Sequence, residues 1–354
     1  MTLNFNNYMA VTTALNFDLG NYLLNLIAFL LILISIKIIF AKDLLNAVIA
    51  ASIFSLLIGV SYLIMDAPDV AMTEAALGAC LSTCVYLNLL RKLPPDLKNI
   101  ERTNIIPASL ICLLFVVTLA YMGLELPNYG DDNAPIHMYS SKYYLENTSR
   151  DIGVPSFVAA ILASYRAYDT LGETSVILIA GITVLLVFSK KLEEVKGDSR
   201  FRGNDIAESK DATILKAYPI IKYITSFIIP YIILYSIYIQ LNGESSPGGG
   251  FQAGVIFASS LIAYDLVYGN RKLSRYFPPN VLISIAVLGV AIYAIVGTIS
   301  LFFNDNYLNY YSLTNFINDK LLAQHIAIVI VEIGIGLTVS AIMYLIYKVF
   351  NNHE

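Results

Sequence analysis

Long apolar runs separated by short polar breaks dominate the chain. Runs near the roughly 20 residues that span a bilayer fall at about 19–40, 44–64, 70–90, 105–124, 170–189, 218–240, 250–268, 281–301 and 326–347. Many are rich in Val and Ile, but strands are excluded. An open sheet edge cannot sit in hydrocarbon, and the runs are too long for barrel strands. The pattern predicts an all-α, polytopic membrane protein with about nine transmembrane helices. Two segments interrupt it. Residues 125–155, rich in Tyr, Asn and Asp, predict an external loop. Residues 193–216 are strongly polar and predict a flexible cytoplasmic linker. The expected organisation is a five-span module over 1–192, the linker at 193–216, and a four-span module over 217–354.

Composition agrees with the pattern. The chain has 354 residues, 57% hydrophobic and 14% charged, against about 25% charged in soluble domains. The net charge of −4 leaves no footprint for nucleic acid, and none is expected as a partner. Cys80, Cys84 and Cys112 lie inside apolar runs. Cys80 and Cys84 are one turn apart with no nearby His, so they read as packing residues, not as a disulfide or a zinc site. No cofactor and no tightly bound metal are expected. The 25 tyrosines, with no tryptophan, predict Tyr as the interfacial anchor. No Lys or Arg precedes Lys37, so no secretory signal is expected.

Basic residues set the expected orientation. All of the 22 Lys and Arg except Lys142, Arg150, Arg166 and Lys320 fall in alternate breaks or beside the C-terminus, where Lys348 stands. The positive-inside rule then places the N-terminus outside and the C-terminus in the cytoplasm.

Carboxylates inside apolar runs are the candidate chemistry. A charge at a helix centre costs about 2.5–3.5 kcal/mol on insertion scales, so it needs compensation. Glu74 lies deep in the third run, among Ala75, Ala76, Gly78 and Ala79. Asp66 and Asp69 stand at the mouth of that run, where a loop and cap role competes with ion entry. Asp169 and Glu173 are four apart and share a helix face, with Arg166 placed to pair with Asp169. Glu332 and His325 are seven apart on one face of the last run. Pro247, Gly248, Gly249, Gly250 and Phe251 form a glycine-rich block at a run boundary. A phosphate loop would end in Gly-Lys-Ser/Thr, and none does here. With the expected orientation, Glu74, Asp169, Glu173 and Glu332 all fall in outer halves, below Asp66, Asp69 and Glu244. This predicts an acidic vestibule for cations.

Three blocks carry a family resemblance. DAPDVAMTEAALGACLSTCVYLNLL resembles the MbhD-like domain at the C-terminus of the largest subunit of Mrp-type multisubunit Na+/H+ antiporters. VAAILASYRAYDTLGETSVILIAGITVLLV resembles the MbhE-like segment that follows it there. GESSPGGGFQAGVIFASSLIAYDLVYG, followed by RKLSR, resembles the MnhB subunit. The resemblance implies a fused subunit of a cation/proton antiporter in a bacterial cytoplasmic (inner) membrane. It implies as partners the other antiporter subunits, including a large proton-translocating one, with Na+ and H+ as ions and the lipid bilayer as solvent. The acidic positions that it carries over are Glu74, Asp169 and Glu173. MnhB members commonly have His where Glu244 stands. The large proton-translocating module, with its buried lysines, is missing, so the chain is not expected to be a complete antiporter by itself.

Three other readings compete. A membrane-arm subunit of an energy-converting hydrogenase would share these blocks. A scaffold subunit would tolerate amides at Glu74 and Asp169. An intramembrane aspartyl protease would use Tyr-Asp pairs such as Tyr168-Asp169 and Tyr264-Asp265, but the required Gly-x-Gly-Asp is absent.

Overall fold

Apolar side chains in hydrocarbon leave the backbone only its own hydrogen bonds, and the chain responds with helices throughout. The computed structural model describes residues 5–41, 43–90, 105–127, 131, 133–196, 219–268, 273 and 275–351. Among these residues there is no strand, and nine helices are long and apolar enough to cross a membrane. Their positions match the nine apolar runs.

Helix α1 (Phe5–Ile39) packs on α2 (Leu44–Ile64), which packs on α3. Three segments make α3: Pro68–Glu74, a π-helical stretch Ala75–Leu81, and Ser82–Leu90. Asp66 closes the turn between α2 and α3 at φ +55°, a left-handed conformation that Asp tolerates better than most residues. Pro68 occupies the first turn of α3, and Ala67, not Asp69, holds the cap position.

Ser156 caps a short helix, α6 (Phe157–Ala160, continued in π geometry through Ile161–Tyr165), by accepting from the Ala159 amide at 3.2 Å. Arg166 breaks it from α7 (Ala167–Lys196). The first residues of the expected linker, 193–196, therefore continue α7; the rest of it, 197–216, lies outside the described residues. Then come α8 (Pro219–Asn242), α9 (Gly250–Tyr268), α10 (Pro279–Phe302), a 3-10 turn (Tyr310–Asn315) and α11 (Lys320–Asn351).

The core gathers around α11. It contacts α10, α9, α7, α8 and the last part of α3. Its buried face includes Ala327, Ile328, Val331, Val339, Ile342 and Leu345. Among the described side chains, Leu26, Phe29 and Ile32 of α1 and Leu45, Leu56 and Leu63 of α2 point outward, as expected where the solvent is lipid or a neighbouring subunit. Gly334 meets Gly289 of α10, so small residues let these two helices approach closely.

A second compact unit covers residues 93–151. It contains α4 (Ile105–Gly123) and α5 (Lys142–Asp151), the latter led in by a π-helical turn at Ile136–Ser141. The expected loop at 125–155 is thus largely helical. No Gly or Pro interrupts 136–151, and Arg150 ties the last turn by donating to Asn147 at 3.0 Å.

A candidate ion site at the glycine-rich turn

The glycine block is the turn that joins α8 to α9. The Asn242 carbonyl accepts from the amides of Ser245 at 3.0 Å and Ser246 at 2.9 Å, which folds the chain back sharply. Gly249 takes φ +126°, a conformation that side-chain-bearing residues rarely adopt. Gly250 then starts α9 directly against the backbone carbonyl of Glu332. A β-carbon at Gly250 would collide with that carbonyl. The glycines bring the α8–α9 turn down onto α11.

Glu332 fills the space beneath the turn. A β-carbon on Gly243 would stand 3.1 Å from its Oε2, and one on Gly249 3.5 Å from its Oε1. Glu332 is buried, and its carboxylate takes no hydrogen bond from the described residues. Asp69 arrives from α3: its Oδ1 accepts from the Gly248 amide at 2.8 Å. Glu244 sits in the turn itself. Its backbone carbonyl accepts from the Ser156 amide at 2.9 Å, and its Oε2 pairs with Nδ1 of His325 on α11. The other carboxylate oxygen, Oε1, is buried without a partner among the described residues. Burial pushes the Glu244 carboxyl up, and the neighbouring His325 pulls it part-way back. The charges of Glu244 and Asp69 both act on Glu332.

Three buried carboxyl groups therefore share a small-residue enclosure, with the half-exposed His325 imidazole at its edge. Full ionisation would leave three buried negative charges beside one histidine. Such charges are tolerated when a cation or proton lies among them. Among the described residues no group of three or more His, Cys, Asp or Glu has the geometry to hold a metal ion. Such a cluster is chemically able to take up and release a proton.

The other expected site residues lie around it or apart from it. His325 and Glu332 do share a face, and both reach the turn. Asp66 is exposed in its own turn. Glu74 ends the first α-helical part of α3. Its carboxylate lies back over Gly78, next to Ser55 of α2, where a β-carbon at Gly78 would have no room. The π-helical stretch begins at the next residue, and such stretches occur frequently at functional sites. Asp169 forms an exposed ion pair with Arg166, 2.5 Å between Nη2 and Oδ2, and Glu173 is exposed one turn on. Phe251 packs against the core.

A second buried polar group has no counterpart among the expected sites. Asp265 near the end of α9 accepts from the Tyr344 hydroxyl at 2.7 Å. Lys348, expected as a loop charge near the C-terminus, is inside α11 and 2% exposed. Its ammonium donates to the Phe277 carbonyl at 2.6 Å. A signal for it exists in the sequence: Asp265 is the one charge in an otherwise apolar run.

Known proteins place these features. A family profile described as a domain related to the MnhB subunit of Na+/H+ antiporter matches residues 220–345. A second profile, MbhD, described as one of the MBH subunits, matches residues 29–95. The chain carries an MbhD-type domain ahead of an MnhB-type domain. A probable K(+)/H(+) antiporter subunit of Rhizobium meliloti is 26% identical over 230 residues, covering 60% of this chain and 22% of that protein. An Na(+)/H(+) antiporter subunit of Staphylococcus epidermidis is 30% identical over 179 residues, covering 49% and 21%. A Methanocaldococcus jannaschii protein is 30% identical over 160 residues, and the match covers 60% of its length. The chain thus spans under two thirds of this protein and about a fifth of the two antiporter subunits. Among solved structures, the Mrp complex from Dietzia sp. superimposes with TM-score 0.70 at 19% identity, covering 100% of this chain and 39% of that one. A chain of the archaeal membrane-bound sulfane sulfur reductase gives 0.50 at 22% identity, covering 70% and 98%. These two likenesses concern the fold.

In this MbhD–MnhB chain the Asp69–Gly248 bond crosses 179 positions of sequence and ties one domain to the other. A hydrogen bond to a charged group contributes about 1.5–3 kcal/mol. Asp69→Ala should therefore speed hydrogen exchange at the Gly248 amide at least tenfold, as read by mass spectrometry of the chain in nanodiscs. Unchanged exchange would mean that the contact adds nothing to the turn.

Proposed function

We propose that the chain is a subunit of a multisubunit monovalent cation/proton antiporter, and that the Asp69–Glu244–Glu332–His325 cluster lies on its cation pathway. One observation carries the reading: carboxyl groups from both domains converge, buried and undercompensated, on one glycine-built turn. Glu74, Asp169 and Glu173 belong to the same pathway as flanking carboxylates. Asp66 stands at its mouth. The pathway opens to the outside, with the N-terminus outside and the C-terminus in the cytoplasm. The membrane is a bacterial cytoplasmic membrane, and Na+ is the exchanged ion.

As one part of a transporter, the chain does not complete the cycle unaided. The missing part is a large proton-translocating subunit, held with others in one assembly. The modules divide as 1–192 and 217–354, with 193–216 as tether. The curated antiporter subunits favour this reading over a hydrogenase-type membrane arm, for which the MBH-described profile at 29–95 is the remaining support.

The test is co-expression with the neighbouring antiporter subunits, affinity purification through this chain, and reconstitution. The subunits should co-purify and exchange Na+ for H+, and omission of this chain should abolish exchange. Full exchange without it, or exchange by this chain in the absence of partners, overturns the proposal.

A further inference from the structure

Glu332 is the first member of a stripe. Glu332, Gly336, Ser340, Tyr344 and Lys348 recur every four residues along α11 and are all buried, so they form a stripe that winds about 40° round the helix at each step. Helix α9 runs beside this stripe in the same direction. Gly250 lies against the Glu332 carbonyl, Gly254 against the Gly336 carbonyl, and Asp265 against Tyr344. One helix pair thus carries the carboxylate cluster at one end and a second buried carboxylate at the other. Twelve residues separate Glu332 from Tyr344, about 18 Å at 1.5 Å per residue.

The second end is not closed by its own partners. Asp265 is 4% exposed. Tyr344 serves Oδ2, but Oδ1 is buried and has no hydrogen-bond partner among the described residues. Lys348 is within electrostatic reach of Asp265, yet it forms no ion pair among the described residues and spends one donor on Phe277. A buried carboxylate with one hydrogen bond and a cation held at a distance is undercompensated. A proton on Oδ1 removes the charge. Na+ does not suit the place, since it wants several oxygens and the Lys348 ammonium repels it. Between the ends, the side chain of Gln240 on α8 rests against Gly336, and its Nε2 is also buried without a partner among the described residues.

We propose that the Asp265–Tyr344–Lys348 cluster is a proton-exchange site, and that it and the Glu332 cluster are the two ends of one proton route along the α9–α11 interface. The route half of this rests on the antiporter reading; the exchange site does not. Among the described residues, the titratable groups that act on Asp265 are Tyr344 and Lys348 of α11. Helix α8 brings Lys222 to the same end of α9, over the Tyr268 ring at 5.8 Å. The π-helical stretch of α3, which also packs on α9, adds Cys80. Asp69 and Glu74, on the first part of α3, lie toward the Gly248 end.

The experiment has two arms. Infrared difference spectra of the full chain in nanodiscs, stepped from about pH 5 to about pH 10 across the carboxyl-to-lysine range, should show a protonated-carboxyl band that Asp265→Asn removes. Tyr344→Phe, which takes away only the hydroxyl donor, should move that band's midpoint up by at least half a pH unit. In the reconstituted complex, Asp265→Asn should lower proton flux at least tenfold while leaving co-purification intact. If no band depends on Asp265, or if Tyr344→Phe leaves the midpoint in place, the exchange site is wrong. If the band titrates but flux in Asp265→Asn is normal, the route is wrong. Should Asp265→Asn fail to fold, the Tyr344→Phe shift decides alone. A wild-type complex without Na+/H+ exchange would sink the antiporter reading and leave the spectroscopic arm standing.

Discussion

Glu332→Gln should lower Na+-dependent proton exchange by the assembled complex at least a hundredfold. The substitution keeps length, volume and one oxygen acceptor, and removes only the ability to take and release a charge. Glu332 is enclosed by Gly243, Gly249 and the turn above it, so an isosteric amide fits without rearrangement. It also lies where the charges of Glu244 and Asp69 meet. Removing it lowers the negative potential of the enclosure and deletes the member to which the described residues offer no hydrogen bond. A hundredfold loss corresponds to about 2.7 kcal/mol of barrier. Glu332→Asp keeps the charge but withdraws it by one methylene, and should retain part of the rate. Flux is measured in proteoliposomes under an imposed sodium gradient, with subunit stoichiometry checked by gel. Normal flux in a normally assembled Glu332→Gln complex would reduce the residue to packing.

Much of the fold is legible in the sequence because lipid leaves the backbone few options. A run of about 20 apolar residues has to be a helix there, and the helices from Leu44–Ile64 to Lys320–Asn351 fall where hydropathy puts them. What escapes depends on contacts distant in sequence or on short-range polarity. Helix α5, KYYLENTSRD, is too polar to register as a span and reads as loop. Lys348 reads as a loop charge because Lys near a run's end usually is one. Its burial depends on the Phe277 carbonyl, 71 positions away.

The site divides in the same way. Helical spacing alone puts Glu332 and His325 on one face of the last helix. That Asp69 leaves its own helix end and binds the Gly248 amide does not follow from spacing, because no local rule links positions 179 apart. Glu244 stands out in the sequence only as lying near the vestibule, and its pairing with His325 requires the turn's geometry. Asp265 is visible as a charge in an apolar run. Its meaning comes only when α9 is seen beside the four-residue stripe of α11. Asp169 shows the converse. Its spacing to Glu173 suggests a shared site, while the structure gives it Arg166 as partner.

Gly250→Val should abolish accumulation of the folded chain in the membrane. A β-carbon at 250 would overlap the Glu332 carbonyl, with the Glu332 carbonyl carbon at 2.9 Å and Ile335 Cβ at 3.0 Å. These are backbone and branch-point atoms of α11, not the flexible end of a side chain, so neither can step aside. Relief requires α9 to move off α11, and α11 is the helix around which the core is built. Gly254, one turn along, meets the Gly336 carbonyl and Val339 in the same way, so the displacement cannot be absorbed by a small tilt. Overpacking usually costs about 1–3 kcal/mol, and two branched methyls against fixed backbone fall at or above the top of that range. The control is Gly172→Ala on α7, where a β-carbon meets nothing within 4 Å. That change should be neutral or stabilising by up to about 1 kcal/mol, because glycine weakens a helix interior. The measurement is fluorescence size-exclusion of tagged chains extracted in mild detergent, with thermal ramps on whatever survives. A monodisperse Gly250→Val peak with wild-type melting would show that α9 and α11 do not meet as closely as the glycine block requires, and the enclosure around Glu332 would lose its floor.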